Sequence, residues 1–192
     1  MAKNNEFKPD KLKSSFFSKL YLTKKQRINI LRWTLQSLLL LALSVLQDAL
    51  LCRLRVFGAT TDLVPCGIFL VCILSGMHRG CIFSLIASVL YLFSGSAPGP
   101  YAIALIVIIS VFAAYFRQSF LQKGFGATIF CMTLAVVIYE LTVFFVSLVT
   151  GLTVWSRISF AGVTIGLTLL TVPVLYPAVK VIDSIGGELW RE

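Results

Sequence analysis

The longest stretch of this chain without a charged residue covers residues 80–116, which is 37 positions. A helix needs about 20 mostly apolar residues to cross the hydrocarbon core of a bilayer, so this stretch is long enough for two crossings. The turn formers between Ser94 and Pro100 interrupt it, because they cannot continue a helix. Other uncharged runs cover 33–47, 63–77, 124–139, 141–156 and 158–179. The pattern predicts that lipid surrounds most of the chain.

Composition supports the same interpretation. Hydrophobic residues make up 58% of the 192 residues and charged residues only 13%, about half the share in an average soluble domain. A soluble enzyme of this size would need far more polar surface to cover its core. The sequence therefore predicts an all-α polytopic membrane protein folded as a compact bundle of about six transmembrane helices. The six predicted apolar segments are 31–51, 63–76, 81–94, 101–116, 126–150 and 159–179.

The second and third segments are too short for an ordinary crossing. Each has 14 residues, about 21 Å as a helix, against a hydrocarbon thickness of about 30 Å. They either cross a locally thinned bilayer or form a hairpin that neighbouring helices shield. The predicted organisation is a basic cytoplasmic tail over 1–30, a transmembrane domain over 31–180 and a short cytoplasmic tail over 181–192.

Lysine and arginine predict the orientation, since they collect on the cytoplasmic side. Six crossings place fourteen of them inside and three outside, so both termini are expected in the cytoplasm. The basic residues near the first segment are expected to attract anionic lipid headgroups, with a cytoplasmic protein partner as the alternative and no role in nucleic-acid binding. The headgroup candidates are Lys19, Lys24, Lys25, Arg27 and Arg32.

The chain carries little that predicts catalysis or metal binding. Its five cysteines match no CxxC or zinc spacing, and its single histidine, His78, has no carboxylate near it in sequence. A disulfide between Cys52 and Cys66 near the outer face remains an alternative to free thiols. No catalytic triad, phosphate-binding glycine loop or acidic dyad is present as a motif, so we expect no enzyme activity, no cofactor and no metal.

Three polar residues are expected to be buried in the bundle: Gln47, Asp48 and Glu140. Glu140 lies about 14 positions into the fifth segment, and a carboxylate at that depth is a functional candidate because leaving it unpaired costs several kcal/mol. The alternative is a structural bond to polar groups of a neighbouring helix or to Arg53 or Arg55. A proton or ion pathway is disfavoured, since the inner half of the membrane offers no further acidic groups.

The last segment carries Gly162 and Gly166, a pair at the spacing that lets another helix approach closely. Pro173 and Pro177 follow, and each removes a backbone hydrogen bond and favours a kink or a helix end. These residues serve either packing within the chain or docking of a partner.

Two short stretches resemble the rod-shape-determining protein MreD family. The first is Leu46-Gln47 followed by Leu54-Arg55-Val56-Phe57-Gly58-Ala59-Thr60-Thr61-Asp62-Leu63, and the second is Leu92-Phe93-Ser94-Gly95-Ser96-Ala97-Pro98-Gly99-Pro100-Tyr101-Ala102. The resemblance covers about residues 33–180. It departs from the family pattern at Thr61, where a proline is usual, and near Tyr91, where an aspartate is usual.

The resemblance implies a non-enzymatic membrane scaffold of the bacterial cell-elongation machinery. Members of that family bind MreC and help connect MreB filaments, a RodA-type polymerase and a class B penicillin-binding protein during peptidoglycan synthesis. It also implies a fold similar to the substrate-binding subunits of energy-coupling-factor transporters, in the bacterial cytoplasmic membrane. The expected partner-binding residues are Arg53, Arg55, Phe57, Gly58, Asp62, Ser94, Gly95, Pro98, Gly99, Gly162 and Gly166.

The main alternative is a substrate-binding subunit for uptake of a vitamin or metal. Such a protein needs a polar or aromatic pocket near the outer face, which Glu140, Tyr139, Trp155 and Tyr101 could supply. A membrane-embedded enzyme is a weaker alternative, since the polar constellation that its chemistry requires is absent.

Overall fold

A computed structural model describes residues 24–51, 61–120 and 124–185, and this part of the chain is entirely helical with connecting turns. A π-helical segment, Gln47–Leu51, follows α1, and a 3-10 turn, Trp155–Arg157, precedes α6. The α-helices are α1 (Lys24–Leu46), α2 (Leu63–Ser75), α3 (Met77–Phe93), α4 (Tyr101–Phe120), α5 (Phe125–Val149) and α6 (Ile158–Ser184).

Four of these helices are long and apolar enough to cross a membrane. They cover Gln26–Ala49, Tyr101–Phe120, Phe125–Val149 and Trp155–Ser184. The apolar helices α2 and α3 are shorter, at 13 and 17 residues. Many large apolar side chains on the long helices face outward, as expected for a surface that lipid covers. The prediction of an all-helical bundle is confirmed at this level.

The short helix α2 lies at the centre of the bundle. It contacts α1, α3, α4, α5 and α6, and every residue from Leu63 to Ile73 is buried. A helix that is apolar on all sides belongs in a protein interior, so α2 is short because other helices, rather than lipid, surround it. Its position brings both of its ends into contact with polar groups of the longer helices.

A tight turn at Gly76 connects α2 to α3. Gly76 has φ +86°, a left-handed conformation that favours glycine. Gly80, one turn further along, packs directly on α2: a Cβ atom there would lie 2.5 Å from Cys72 Sγ and 2.9 Å from Cys72 Cα. The glycine therefore allows the closest approach between these two helices. His78, predicted in a turn, lies in the first turn of α3.

The helices extend beyond the predicted apolar segments at the ends that carry charge. The predicted tail of residues 1–30 overlaps α1, which begins at Lys24, and α6 continues to Ser184 beyond the predicted boundary at 180. Long basic side chains can keep their charge in water while their stems cover apolar surface, so a helix need not stop where the uncharged run stops.

The alternating helices define two ends of the bundle. At one end, which we call the Asp62 end, lie the start of α2, the loop between α3 and α4, and the loop between α5 and α6. At the other, the Arg32 end, lie the start of α1, the α2–α3 turn and the end of α6. The described beginning of α1 and the end of α6 are therefore on the same side.

Candidate functional site

Polar side chains converge where α2 begins. Asp62 precedes the first residue of α2, and its backbone N–H donates to Thr168 Oγ1 of α6 at 3.3 Å. Its carboxyl does not cap its own helix. Gln47 takes that role, since its Oε1 accepts the backbone N–H of Val64 at 2.9 Å, one of the N–H groups that a helix start leaves without an internal partner. The π-helical segment after α1 places Gln47 for this contact.

The carboxyl of Asp62 meets that of Glu140. The two groups are within hydrogen-bonding reach, and Glu140 is only 7% exposed. Carboxylate oxygens only accept hydrogen bonds, so a bond between two carboxyl groups requires that one of them carries a proton. Glu140 Oε1 has no N–H or O–H donor among the described residues. The contact therefore favours at least one protonated carboxyl group in the pair.

Two tyrosines surround the carboxyl pair. Tyr91 of α3 is 2% exposed, and its hydroxyl lies close to the Gln47 side chain and donates to the Ser96 carbonyl at 3.2 Å. Tyr139 of α5 packs edge-to-face on Phe69 with ring centroids 5.7 Å apart. Its hydroxyl has no hydrogen-bond partner in the described part of the chain. These rings exclude water from one side of the pair, which strengthens its internal interaction.

A cavity of about 310 Å³ opens beside Glu140. Its α5 wall has positions 140, 143, 144 and 147, which share one helix face. The burial of its lining changes with depth: Glu140 and Phe144 at the bottom are buried, while Leu152 and Arg157 at the rim are exposed. The complete lining is Glu140, Val143, Phe144, Ser147, Leu152, Thr153, Arg157, Phe160, Ala161 and Thr164.

The shortness of α2 explains why this cavity exists. Glu140 lies nine residues before the end of α5 and Thr168 ten residues after the start of α6, so α2 begins about 14 Å below the α5–α6 loop. Above that level, no helix of the described part of the chain lies between α5 and α6. The carboxyl pair at the start of α2 therefore borders the bottom of the cavity.

A second polar cluster lies at the Arg32 end. Arg32 forms an ion pair with Asp183 of α6, and Ser75 Oγ donates to the same carboxylate at 3.2 Å. Gln36 Nε2 donates to Ser75 Oγ at 3.0 Å. The prediction that Arg32 contacts lipid headgroups is wrong for this reason, since its side chain is buried and neutralised within the protein. Arg27 is exposed, while Lys19 and the side chains of Lys24 and Lys25 lie outside the described residues.

The predicted buried polar residues have different surroundings. Gln47 and Glu140 are buried, as expected. Asp48 is exposed, so its prediction is wrong: it lies one residue after Gln47 and therefore on another face of the helix. Its carboxylate accepts a short hydrogen bond from Ser96 Oγ, which connects the end of α1 to the loop between α3 and α4.

The predicted partner-binding residues are partly accessible at the Asp62 end. Ser94, Gly95 and Pro98 are exposed and Gly99 is half-buried, with the Tyr101 ring in close contact. Asp62 is half-buried and paired with Glu140. The predicted residues Arg53, Arg55, Phe57 and Gly58, and also Cys52, lie outside the described residues.

Gly162 and Gly166 are exposed on α6, with no atom within 4 Å of where their Cβ atoms would lie. In the described part of the chain, no helix occupies the face that they form. Packing within the chain is therefore not their role there, and docking of a partner stays a prediction.

Sequence reasoning did not find the contact between Asp62 and Glu140. The expected partners of Glu140 were polar groups of a neighbouring helix, Arg53 or Arg55. Two acids repel when both are ionised, so nothing in the sequence favoured Asp62 among them. The available signal was the small number of acidic residues in apolar surroundings, because each such residue needs a partner. Arg157 and Thr168 were also not predicted as members of the site. Among the described residues, no three His, Cys, Asp or Glu side chains are grouped so as to hold a metal ion.

Comparisons of the chain with protein-family models, curated proteins and solved structures give no match. The class of protein is therefore defined by the fold itself: in its described residues this is an all-helical protein with four helices long and apolar enough to cross a membrane. Its distinguishing site is a buried carboxyl pair at the bottom of a cleft between two of those helices.

Proposed function

We propose that this chain is a membrane scaffold of the bacterial cell-elongation machinery, as its resemblance to the MreD family implies. The observation that carries the proposal is the hydrogen bond between Asp48 and Ser96. It joins the end of α1 to the loop of Ser94–Gly99. Asp48 directly follows Leu46-Gln47 of the first stretch that carries the resemblance, and Ser96 belongs to the second stretch. Tyr91 adds a second connection, since its hydroxyl donates to the Ser96 carbonyl and lies close to the Gln47 side chain.

In this proposal six helices cross the bacterial cytoplasmic membrane and both termini are cytoplasmic, in a bundle similar to the substrate-binding subunits of energy-coupling-factor transporters. The Asp62 end then faces outward, and the basic N-terminal tail lies against anionic lipids of the inner leaflet. The main partner is MreC, with MreB, a RodA-type polymerase and a class B penicillin-binding protein joined through the assembly. Short outer loops suit this role, because they can offer a small polar surface to a partner that has its own extracellular part.

Site-specific photo-cross-linking in native membranes tests the proposal. A photoreactive amino acid is placed at Ser94 or Pro98, which are both exposed at the Asp62 end. The matched control is the same amino acid at His78, which is exposed at the Arg32 end. We expect an adduct with MreC from Ser94 or Pro98 and none from His78. Adducts that form equally from all three positions, or from none, would contradict the proposed surface.

The cavity beside Glu140 supports a second candidate function, that of a substrate-binding subunit of a vitamin or metal uptake transporter. Its volume of about 310 Å³ lies at the small end of the range for ligand sites. Trp155 lies near it, packed edge-to-face against Phe144 with centroids 6.3 Å apart. Co-purification with an ATP-driven transporter module, in place of MreC, would favour this second function.

A further inference from the structure

The cleft between α5 and α6 has a lining that neither proposed partner nor helix packing explains. Its buried bottom holds Glu140, whose Oε1 has no hydrogen-bond donor in the described part of the chain. A buried acceptor without a donor costs about 1–3 kcal/mol. A ligand that donates hydrogen bonds at this point would remove that cost.

The charges of the cleft are separated along its depth. At the bottom, the buried carboxyl oxygens of Glu140 can accept hydrogen bonds from a cation. At the rim, Arg157 is exposed and forms no ion pair with a described residue. Ser147 lies seven positions after Glu140 along α5, so the cleft is about 10 Å deep. This arrangement favours a ligand whose cationic end lies at the bottom of the cleft and whose anionic end lies at the rim.

The rest of the lining determines the kind of molecule that would fit. Val143, Phe144 and Phe160 provide apolar walls that suit a methylene chain. The hydroxyls of Ser147 and Thr153 can bond to an anionic group in the upper part. The volume of about 310 Å³ admits a small molecule and not a folded peptide.

From this geometry we propose that the cleft binds a small zwitterion with a primary ammonium group, which contacts Glu140, and an anionic group, which contacts Arg157. The ammonium enters first and the anion stays near the loop between α5 and α6. This polarity suits a soluble amino acid or aminophosphate that enters from the water at the Asp62 end. A phosphatidylethanolamine headgroup has the same chemistry and is the other source. The inference does not depend on the scaffold function.

The test is binding of straight-chain ω-amino acids to the full-length purified chain in detergent, measured by calorimetry. The probes are 4-aminobutyrate, 6-aminohexanoate and 8-aminooctanoate, with hexylamine and hexanoate as singly charged controls. The variants are Glu140→Gln and Arg157→Gln, and the control variant is Lys180→Gln, which removes a cation from the other end of α6. Arg157 is exposed, so Arg157→Gln should leave the packing of the core unchanged.

We expect one of the zwitterions to bind more tightly than either singly charged control. Arg157→Gln should weaken it by at least about tenfold, because it leaves the anion of the ligand without its partner. Glu140→Gln should also weaken it, because the group that contacts the ammonium can then no longer ionise, while Lys180→Gln should not. Native mass spectrometry of chain purified from membranes then identifies the source. Retained phosphatidylethanolamine that is lost in Arg157→Gln indicates the lipid, and its absence together with amino-acid binding indicates a soluble ligand. The proposal is overturned if neither kind of molecule binds, or if both variants bind as the unchanged chain does.

Discussion

The carboxyl groups of Asp62 and Glu140 meet across the contact between α2 and α5, although they are 78 positions apart in the sequence. One belongs to a stretch that resembles a family motif, and the other is a buried acid in a long apolar helix. Two ionised carboxylates in contact repel each other, so the start of α2 depends on the protonation of at least one of these acids. It also links the predicted partner surface to the cleft between α5 and α6.

The carboxyl pair predicts that an amide at position 62 stabilises the fold. Asparagine in Asp62→Asn supplies an N–H donor to Glu140 without needing a proton, so we expect a gain on the order of 1 kcal/mol near neutral pH. The measurement is the apparent thermal unfolding midpoint in detergent. Asp48→Asn is the matched control, because Asp48 is exposed and its amide oxygen can still accept from Ser96. A lower midpoint for Asp62→Asn would contradict the shared-proton arrangement.

The Arg32–Asp183 ion pair predicts that Asp183→Asn destabilises the protein. Arg32 keeps its charge in a buried position, with a side chain that is 9% exposed, and breaking a largely buried pair costs on the order of 2–3 kcal/mol. Removing the cation as well, in Arg32→Met with Asp183→Asn, should recover part of that loss. Thermal unfolding of both single variants and of the double variant measures the coupling. Strictly additive effects would show that the two side chains do not interact.

The contact between α2 and α3 predicts that a side chain at Gly80 strongly destabilises the protein. A Cβ atom in Gly80→Ala would collide with the backbone of Cys72, which cannot move aside as a flexible side chain can. We expect a loss of about 1–3 kcal/mol, typical of overpacking. Gly126→Ala is the control, since nothing lies within 4 Å of a Cβ atom there. Equal midpoints for the two variants would mean that α2 and α3 pack less closely than described.

The open face of α6 predicts that large side chains at Gly162 and Gly166 leave the stability of the fold unchanged but affect association with a partner. Gly162→Leu and Gly166→Leu place side chains in open space, so the unfolding midpoint should stay within about 0.5 kcal/mol of the unchanged chain. If a partner helix docks there, the same variants weaken co-purification with it. The control is Gly126→Leu, which has an equally open position at the start of α5. Unchanged co-purification would remove these glycines from the partner surface.

Orientation in the membrane can be measured by thiol labelling. The native cysteines are removed, and single cysteines are placed at Leu152, in the loop before α6, and at Lys180, near the end of α6. Both positions are exposed, and they report the two ends of this helix. The excess of basic residues at the Arg32 end predicts that a reagent unable to cross the membrane labels position 152 in intact cells and position 180 only after lysis. The reverse labelling would place the basic end outside.

Much of the fold could be predicted from the sequence. Each of the six apolar segments corresponds to one helix, and the cluster of Ser94–Pro100 forms the turn between α3 and α4. The reason is that the uncharged runs and the turn formers are local properties of the chain. Neighbouring helices bury the short α2, as one of the two interpretations of the second segment expected, while whether α2 crosses the membrane stays a prediction.

The site could be predicted only in part, because it depends on how helices rotate against one another. Glu140 was expected to be buried and to need a partner, but sequence spacing does not say which side chain it meets. Arg32 and Asp48 show the same limit, since one was expected at the surface and is buried, and the other was expected to be buried and is exposed. In both cases the face of the helix decides the environment, and the apolar runs here show no polar face that would reveal it.

The most direct test of the proposed scaffold function is gentle affinity purification of the tagged chain from its native membrane, with mass spectrometry of the proteins that co-purify. The scaffold function predicts recovery of MreC, together with components of the elongation synthase. Recovery of an ATP-driven transporter module without MreC would contradict it.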